Sequence, residues 1–291
     1  MELQGEVLFG LSDATESWTA LDWAADEARA RNRPLHIVRA YHWSAGAVPW
    51  ELADDRAIAL DLRGVAETRL RHAIAHVEET FPEVTVRATV VEGIPWDVLV
   101  EKSVHADVTV VGSRRLSAIG AAVMGSVSTV VAARAAGPVV VVEGPPGDKA
   151  ELARVVVGVD GSSASDDVLA FAFDHASRHG VPLKAVFCWR PDLAAVMSWR
   201  PEQPAPERAE RWLAEAVAGW QNKYPDVAVQ RAVVREHAIA GLVLESAAQD
   251  LLVVGGNARH ARVASLLGSV SQGVLHHATC PVAVVHPRAE V

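Results

Sequence analysis

The chain of 291 residues has little cysteine and no excess of positive charge. Its only cysteines, Cys188 and Cys280, lie far apart and form no C-x-x-C pair, so we expect two buried thiols rather than a disulfide. The net charge of −9 means that a duplex nucleic acid or an anionic membrane would be repelled on average. There is no signal-peptide pattern and no apolar run of the roughly 18 residues that a membrane span needs. These absences predict a cytoplasmic protein with neither nucleic acid nor membrane as a partner.

Several motifs of common nucleotide and hydrolase sites are missing as well. No G-x-x-x-x-G-K-[ST] occurs, and no G-x-G-x-x-G follows a strand, which argues against a P-loop enzyme and against that kind of dinucleotide fold. There is also no G-x-S-x-G elbow. Because no nucleophile with a base and an orienting acid can be identified, the sequence supports no hydrolase.

What the chain does contain is one pattern that occurs twice. In each copy a short apolar strand ends at a glycine, a loop follows, and a helix begins at Gly-Ser-Val-Ser. The copies are Asp107–Gly112 with Gly125–Ser128, and Asp250–Gly255 with Gly268–Ser271. The offset is 143 residues at both glycines, 255 − 112 and 268 − 125. A repeat of this length predicts two copies of one domain.

The domain boundary is predicted at the turn-rich segment 144–151, which would join a first domain, 1–143, to a second, 152–291. Near the start of each domain the offset is 148 residues, for example 182 − 34 at the prolines before the second strand. The second copy has therefore lost five residues before its third strand. A surface connection tolerates such a change in length.

The alternation of short apolar strands with helical patterns predicts the α/β class. We expect two repeated doubly wound domains, each a five-stranded parallel sheet flanked by helices in a flavodoxin-like, HUP-type order. Ligands of such sheets bind outside the carboxyl ends of the strands, where the winding reverses. If strands one and four flank that point, Asp160 and Gly255 face one crevice, with the helix start at Gly268 and Ser269 beside them.

A helix that starts at Gly-Ser can serve two purposes. Its first N–H groups have no partner within the helix, and the positive end of the helix dipole favours an anion such as phosphate. The alternative is a helix start that binds nothing. The Gly-Ser helix start occurs in both copies, and in each it is expected beside the end of the first strand. This repetition favours a nucleotide pocket.

The combined pattern resembles the universal stress protein family in its tandem two-domain form. The similarity rests on Val-Val-Gly-Val-Asp160-Gly-Ser, on Gly255 with Gly268-Ser-Val-Ser, and on Cys280-Pro-Val, and it covers essentially the whole chain, twice. It implies a small cytoplasmic regulator, induced under stress, that binds ATP or a related ligand and dimerises through its last strands. The ATP-binding branch carries G-x2-G-x9-G-[ST] after strand four and an aspartate at the end of strand one.

Transferred to the second domain, the resemblance implies that Asp160 accepts a hydrogen bond from ribose or base and that backbone near Cys188 lies beside adenine. Gly255 would let the backbone pass close to the ligand. The phosphates would be held by N–H groups and hydroxyls of the helix start. The complete set of positions is Asp160, Gly161, Cys188, Gly255, Ala258, Gly268, Ser269, Val270 and Ser271. Ala258 departs from the motif, which has glycine there, and it could narrow the pocket.

The first domain departs further from the motif. Ser12 replaces the aspartate, and Arg115, which could reach a phosphate or fill the pocket, replaces the second glycine. The corresponding positions are Ser12, Ala40, Gly112, Arg115, Gly125, Ser126, Val127 and Ser128. We therefore expect the second domain to be the better ATP site.

The leading interpretation is a stress-response regulator that senses by binding ATP, with Mg²⁺ as an optional companion and at most slow, incidental hydrolysis. The alternative is a member of the same family that binds no nucleotide and recruits an unknown protein partner. An adenosine-nucleotide hydrolase is disfavoured because the pocket has no catalytic base. Pairing of the edge strands Val139–Val142 and Val282–Val285 would form an internal pseudo-dimer, and a homodimer is a further expectation.

Overall fold

A computed structural model describes residues 5–12, 18–42, 55–113, 125–143, 152–162, 165–189, 206–256 and 267–286. The chain divides into two compact units, residues 1–149 and 150–291. The predicted linker 144–151 lies outside the described residues.

Unit 1 alternates strands and helices throughout. Its elements are β1 Glu6–Gly10, α1 Thr19–Arg31, β2 Leu35–Tyr41, α2 Asp55–Thr80, β3 Val86–Glu92, α3 Pro95–Ser103, β4 Ala106–Gly112, α4 Ser126–Arg134 and β5 Val139–Val142. Strand β1 pairs with β2 and β4, β2 also pairs with β3, and β4 also pairs with β5, in every case in parallel. The order β3-β2-β1-β4-β5 therefore reverses its winding beside β1, as predicted.

Unit 2 repeats this arrangement. Its elements are β6 Arg154–Gly158, α5 Ser165–His179, β7 Leu183–Cys188, α6 Pro206–Lys223, β8 Val229–Val234, α7 Ala238–Glu245, β9 Asp250–Gly255, α8 Ser269–His277 and β10 Val282–Val285. Parallel pairing gives the order β8-β7-β6-β9-β10. The predicted fold class, two doubly wound α/β domains with five parallel strands each, is confirmed.

The central strands are short apolar runs because helices cover both of their faces. All four residues of β5 and all four of β10 are buried. In unit 1, α1 packs against α2, and α3 packs against α4. The same two helix pairs recur in unit 2 as α5 with α6 and α7 with α8. This layering leaves the carboxyl ends of the strands as the edge where a crevice can form.

Helix ends follow local signals that the two units share. Asn32 ends α1 in the left-handed region with φ 52°, and Gly180, 148 residues later, has φ 65° after α5. Pro95 occupies the first turn of α3, where its missing N–H costs no hydrogen bond. The third strand of unit 1 begins at Val86, after a turn in which the Val84 N–H donates to the Phe81 carbonyl.

Among the described residues, no helix combines the length and the apolar character that crossing a membrane would require.

Candidate functional site

In unit 2, β6 and β9 end side by side at the sheet edge where the sequence predicts a crevice. Val157 of β6 lies opposite Val253 of β9, so the chain leaves both strands at one edge of the sheet within a few residues. Beyond β6, the Val159 N–H still donates to the Val186 carbonyl of β7 at 2.9 Å. Asp160 follows directly. The strand pairing thus places Asp160 and Gly255 at the same edge, as the sequence predicts.

Asp160 organises the turn that leads into α5. Its Oδ1 accepts a hydrogen bond from the Ser162 N–H at 2.9 Å and another from the Ser165 hydroxyl at 3.1 Å. The residue is exposed. A carboxylate offers about four acceptor sites on two oxygens, and it is the kind of acceptor that suits a ribose hydroxyl.

Gly161 is required by the same turn. Its φ of +78° is one that side-chain-bearing residues rarely adopt, and a Cβ added there would lie 3.2 Å from Cζ2 of Trp212 in α6. The Trp212 ring in turn packs on Phe187 of β7, with 5.2 Å between centroids. An aromatic pair therefore lies beside the turn that presents Asp160.

The start of α8 is tied to the end of β9 by backbone bonds. The Gly268 N–H donates to the Gly256 carbonyl at 3.0 Å, and the Gly256 N–H donates to the Val285 carbonyl at 2.7 Å. Gly268 is the N-cap residue and supplies no side-chain cap to the first turn. The first amides of α8 are thus held close to β9, in the arrangement that suits a phosphate.

The two serines of this helix start differ in their surroundings. Ser269 is exposed, whereas Ser271 is buried and its hydroxyl donates to the Gly268 carbonyl at 2.9 Å. Val270 lies between them, half-buried. Ser271 thus holds the first turn together, and Ser269 is the exposed serine of the two.

Cys188 ends β7 at the adjacent position of the sheet edge. Its Sγ lies 3.9 Å from the Ala238 carbonyl oxygen, and a Cβ added to Gly241 would lie 2.6 Å from that sulfur. Burial, followed by the charges of Glu245 and Glu236, raises the pKa of the Cys188 thiol to about 11. The thiol is therefore neutral near pH 7 and is a space-filling group rather than a nucleophile.

Unit 1 builds the same backbone frame. The Leu11 N–H donates to the Val38 carbonyl at 2.9 Å, which matches the bond from Val159 to Val186 in unit 2. Ser12 follows Leu11 at the position of Asp160 and is half-buried. Ala40, at the position of Cys188, is buried at the end of β2.

The start of α4 in unit 1 is similar to that of α8. Gly125 is the N-cap and supplies no side-chain cap, Ser126 is exposed, and Val127 is half-buried. The buried Ser128 hydroxyl donates to the Gly112 carbonyl at 3.0 Å, rather than to the cap residue as Ser271 does. The helix start of unit 1 is thus connected to the end of β4 through a side chain.

Two of the predicted site positions, Ala258 and Arg115, lie outside the described residues. The other predicted positions lie at the strand ends, helix starts and turns of the two crevice edges. Their part in ligand binding stays a prediction.

The sequence interpretation missed two arginines of unit 1. Arg39 in β2 is 8% exposed, and its Nη1 donates to the Leu11 carbonyl at 3.1 Å. The Arg69 guanidinium carbon in α2 lies 5.6 Å from the centroid of the Trp18 ring. Their equivalents, at offsets of 148 and 143, are the contacting pair Phe187 and Trp212. The offsets identify these equivalent positions in the sequence, but they do not predict which side chains contact each other.

Comparisons with known proteins agree with this arrangement. Residues 5–143 and 151–286 each match the universal stress protein family. A universal stress protein of Mycolicibacterium smegmatis is 36% identical over 294 residues, covering 97% of each chain, and one of Mycobacterium tuberculosis is 34% identical over 296 residues, again covering 97% of each chain.

A solved structure with the same fold is a universal stress protein from Archaeoglobus fulgidus. It has a TM-score of 0.67 and 16% identity, covering 98% of this chain and 97% of its own. Two domain matches and relatives that span nearly the full length leave one conclusion: the chain belongs to the universal stress protein family, in its tandem two-domain form.

Proposed function

We propose that this protein is a cytoplasmic stress-response regulator that binds ATP in unit 2 and responds to the occupancy of that site rather than to turnover. The observation that carries the proposal is the convergence at one sheet edge of Asp160 and the uncapped start of α8. A carboxylate suits ribose hydroxyls, and a row of backbone N–H groups at a helix start suits phosphates.

The donor and acceptor set fits such a ligand. Asp160 would accept from the ribose, the amides from Ser269 to Ser271 and the Ser269 hydroxyl would hold phosphate oxygens, and backbone beside Cys188 would border the base. Bound MgATP would supply a polyanion whose charge Mg²⁺ partly neutralises. The proposed output is binding itself, with any ATP hydrolysis slow and incidental.

Unit 1 is proposed as the weaker ATP site. Ser12 has one hydroxyl where unit 2 has a carboxylate, so the acceptor for ribose is weaker. The pairing of the two edge strands in a pseudo-dimer, and a homodimer through the last strands, stay predictions.

Native mass spectrometry of the full chain tests the proposal. We expect MgATP to bind the wild type and the bound mass to be lost or strongly reduced in Asp160→Ala. The matched control is Ser12→Ala, which changes the equivalent position of unit 1 and should leave the unit 2 mass shift in place. Circular dichroism would confirm that each variant is folded. No bound nucleotide at millimolar MgATP would overturn the proposal and favour a family member that acts by recruiting a protein partner.

A further inference from the structure

Three polar side chains form a hydrogen-bonded line across the first three strands of unit 1. Oε1 of Glu6 in β1 lies 2.7 Å from Nδ1 of His36 in β2. The other ring nitrogen of His36, Nε2, lies 2.8 Å from Oγ1 of Thr89 in β3. His36 is 30 positions from Glu6 and 53 from Thr89, so no short sequence motif contains the three residues.

The order of these groups is that of an orienting acid, a base and a nucleophile. In such a triad the carboxylate holds the imidazole through Nδ1, and Nε2 takes the proton of the nucleophile's hydroxyl. Glu6 contacts Nδ1 here, and Thr89 contacts Nε2. The tautomer that serves both contacts carries its proton on Nδ1, which donates to Glu6, while Nε2 accepts from the Thr89 hydroxyl.

The acid and the base are more shielded from water than the surface around them. The side chains of Glu6 and His36 are each 13% exposed, and Thr89 is half-buried. Arg87, which shares a face of β3 with Thr89, is 64% exposed, and its Nη1 lies 3.7 Å from Glu6 Oε2. The two oxygens of Glu6 therefore have different partners, and Oε1 is the one directed at the imidazole.

The nucleophile of this triad would lie on an edge strand. Among the described strands of unit 1, β3 pairs with β2 alone. The Gly93 N–H just after β3 donates to the Tyr41 carbonyl of β2, and N–H groups alternate in direction along a strand. The Val90 N–H is thus directed away from β2. Because Val90 directly follows Thr89, this N–H lies next to the hydroxyl, where it can stabilise a developing oxyanion.

Unit 2 has different residues at the three equivalent positions. The offsets 154 − 6 and 184 − 36 are both 148, and 232 − 89 is 143, which gives Arg154, Lys184 and Ala232. Arg154 pairs with Asp250 at 2.9 Å, and Lys184 pairs with Glu245. Unit 2 thus serves as a comparison within the same chain, because its fold is the same and its equivalent positions hold no base or hydroxyl of this kind.

We propose that Thr89, His36 and Glu6 form a catalytic triad that hydrolyses small carboxylic esters, an activity separate from the proposed nucleotide binding. His36 Nε2 takes the Thr89 proton as Oγ1 forms a bond to the ester carbonyl carbon. The bond from that carbon to the alcohol oxygen then breaks, and the alcohol leaves with the proton from His36. Water attacks the acyl-threonine with His36 again as the base, which releases the carboxylic acid and restores Thr89.

Thr89 and His36 are the catalytic residues, whereas Glu6 is a positioning residue that acts through His36. The half-buried Thr89 hydroxyl suits a small acyl group such as acetyl.

Hydrolysis of 4-nitrophenyl acetate by the full chain tests the proposal. We expect the wild type to exceed the buffer rate, Thr89→Ser to keep most of the activity, and Thr89→Val, which has the same shape without the hydroxyl, to lose it. A lone imidazole also hydrolyses this ester, and Thr89→Val keeps His36, so this variant separates a triad from a lone histidine.

Two further variants test the base and the acid. His36→Ala should lower kcat about a hundredfold or more. Lys184→Ala, the change at the equivalent position of unit 2, should leave kcat unchanged. Glu6→Gln should lower kcat by at least about tenfold with little change in KM, because the amide no longer stabilises the imidazolium. An unaltered kcat in Glu6→Gln would mean a structural carboxylate and would overturn the triad.

Covalent labelling identifies the nucleophile directly. Diisopropyl fluorophosphate phosphorylates an activated hydroxyl with loss of fluoride, and peptide mass spectrometry should place the adduct on Thr89 of the wild type and find none there in His36→Ala. Circular dichroism checks that each variant is folded, and if Thr89→Val is not, the labelled site of the wild type decides. No ester hydrolysis above the buffer rate, a rate that survives Thr89→Val, or a label on another residue would overturn the proposal without affecting nucleotide binding.

Discussion

Units 1 and 2 share their backbone frame and differ in the side chains at the crevice edge. The hydrogen bond from the Leu11 N–H to the Val38 carbonyl has its counterpart in the bond from the Val159 N–H to the Val186 carbonyl. Both α4 and α8 begin at an N-cap glycine that supplies no side-chain cap. At the same edge, a carboxylate and an aromatic pair in unit 2 correspond to a hydroxyl and two arginines in unit 1. The comparison teaches that a duplicated fold can keep its backbone frame while the side chains at equivalent positions of the two copies diverge.

The largest difference in the cost of a substitution is expected at the aspartate near the start of β4 and β9, Asp107 in unit 1 and Asp250 in unit 2. Asp250 is 1% exposed, lies 2.9 Å from Arg154 Nε, and accepts from the Ala247 N–H at 2.8 Å. Its equivalent Asp107 is 33% exposed and lies 3.0 Å from Arg33 Nε, so solvent screens that pair. Asp250→Ala should cost about 3 kcal/mol because it breaks a buried network, and Asp107→Ala about 1 kcal/mol or less.

Urea denaturation measures both costs, and peptide-level hydrogen exchange shows which unit each substitution weakens. Equal losses for the two variants would mean that burial does not distinguish the two ion pairs.

The units also differ in how they fill the space behind the end of the second strand. Unit 2 combines Cys188 with Gly241, and unit 1 has Ala40 and Val98 at the equivalent positions. Gly241→Val alone should cost about 1–3 kcal/mol, because even its Cβ would lie too close to the Cys188 sulfur. Combining it with Cys188→Ala should recover most of the loss, since the pair then matches unit 1.

A double-mutant cycle based on thermal unfolding measures this coupling. Cys280→Ala, which shortens a buried cysteine elsewhere in unit 2, should give no recovery. If the losses in unfolding free energy of Gly241→Val and Cys188→Ala simply added in the double variant, the two side chains would not share one space.

The smallest effect on stability is expected at the residue that follows the first helix of each unit in the left-handed backbone conformation. Gly180 has φ 65°, and a Cβ added there would meet no atom within 4 Å. Gly180→Ala should therefore cost about 1 kcal/mol from backbone strain alone. Gly180→Asn should cost about 0.5 kcal/mol or less, because asparagine tolerates this region and Asn32 adopts it in unit 1. Chemical denaturation would compare the variants, and an alanine tolerated as well as asparagine would contradict the argument.

The fold was predictable because its signals are local. Buried parallel strands are short apolar runs such as Val139–Val142, and the offsets of 148 and then 143 residues between the copies identified equivalent elements. The interactions of single side chains were not predictable from such patterns. Arg39 donates to the Leu11 carbonyl, 28 positions away in the sequence, and the Ser271 hydroxyl donates to the Gly268 carbonyl within the first turn of α8, and neither bond follows from an apolar pattern or an offset. Ligand contacts of the predicted positions stay predictions for the same reason.

The pairing of β1 with β4 has a consequence for how the protein is made. Val7 lies opposite Val108, a separation of 101 residues (108 − 7), and Val156 lies opposite Leu252, 96 residues later (252 − 156). Contacts this distant in sequence form slowly, and an unpaired apolar strand invites aggregation. During translation, one side of β1 stays unpaired until β4 has been synthesised, and one side of β6 until β9 has been, so each unit of the nascent chain passes through a period in which an apolar strand edge is open.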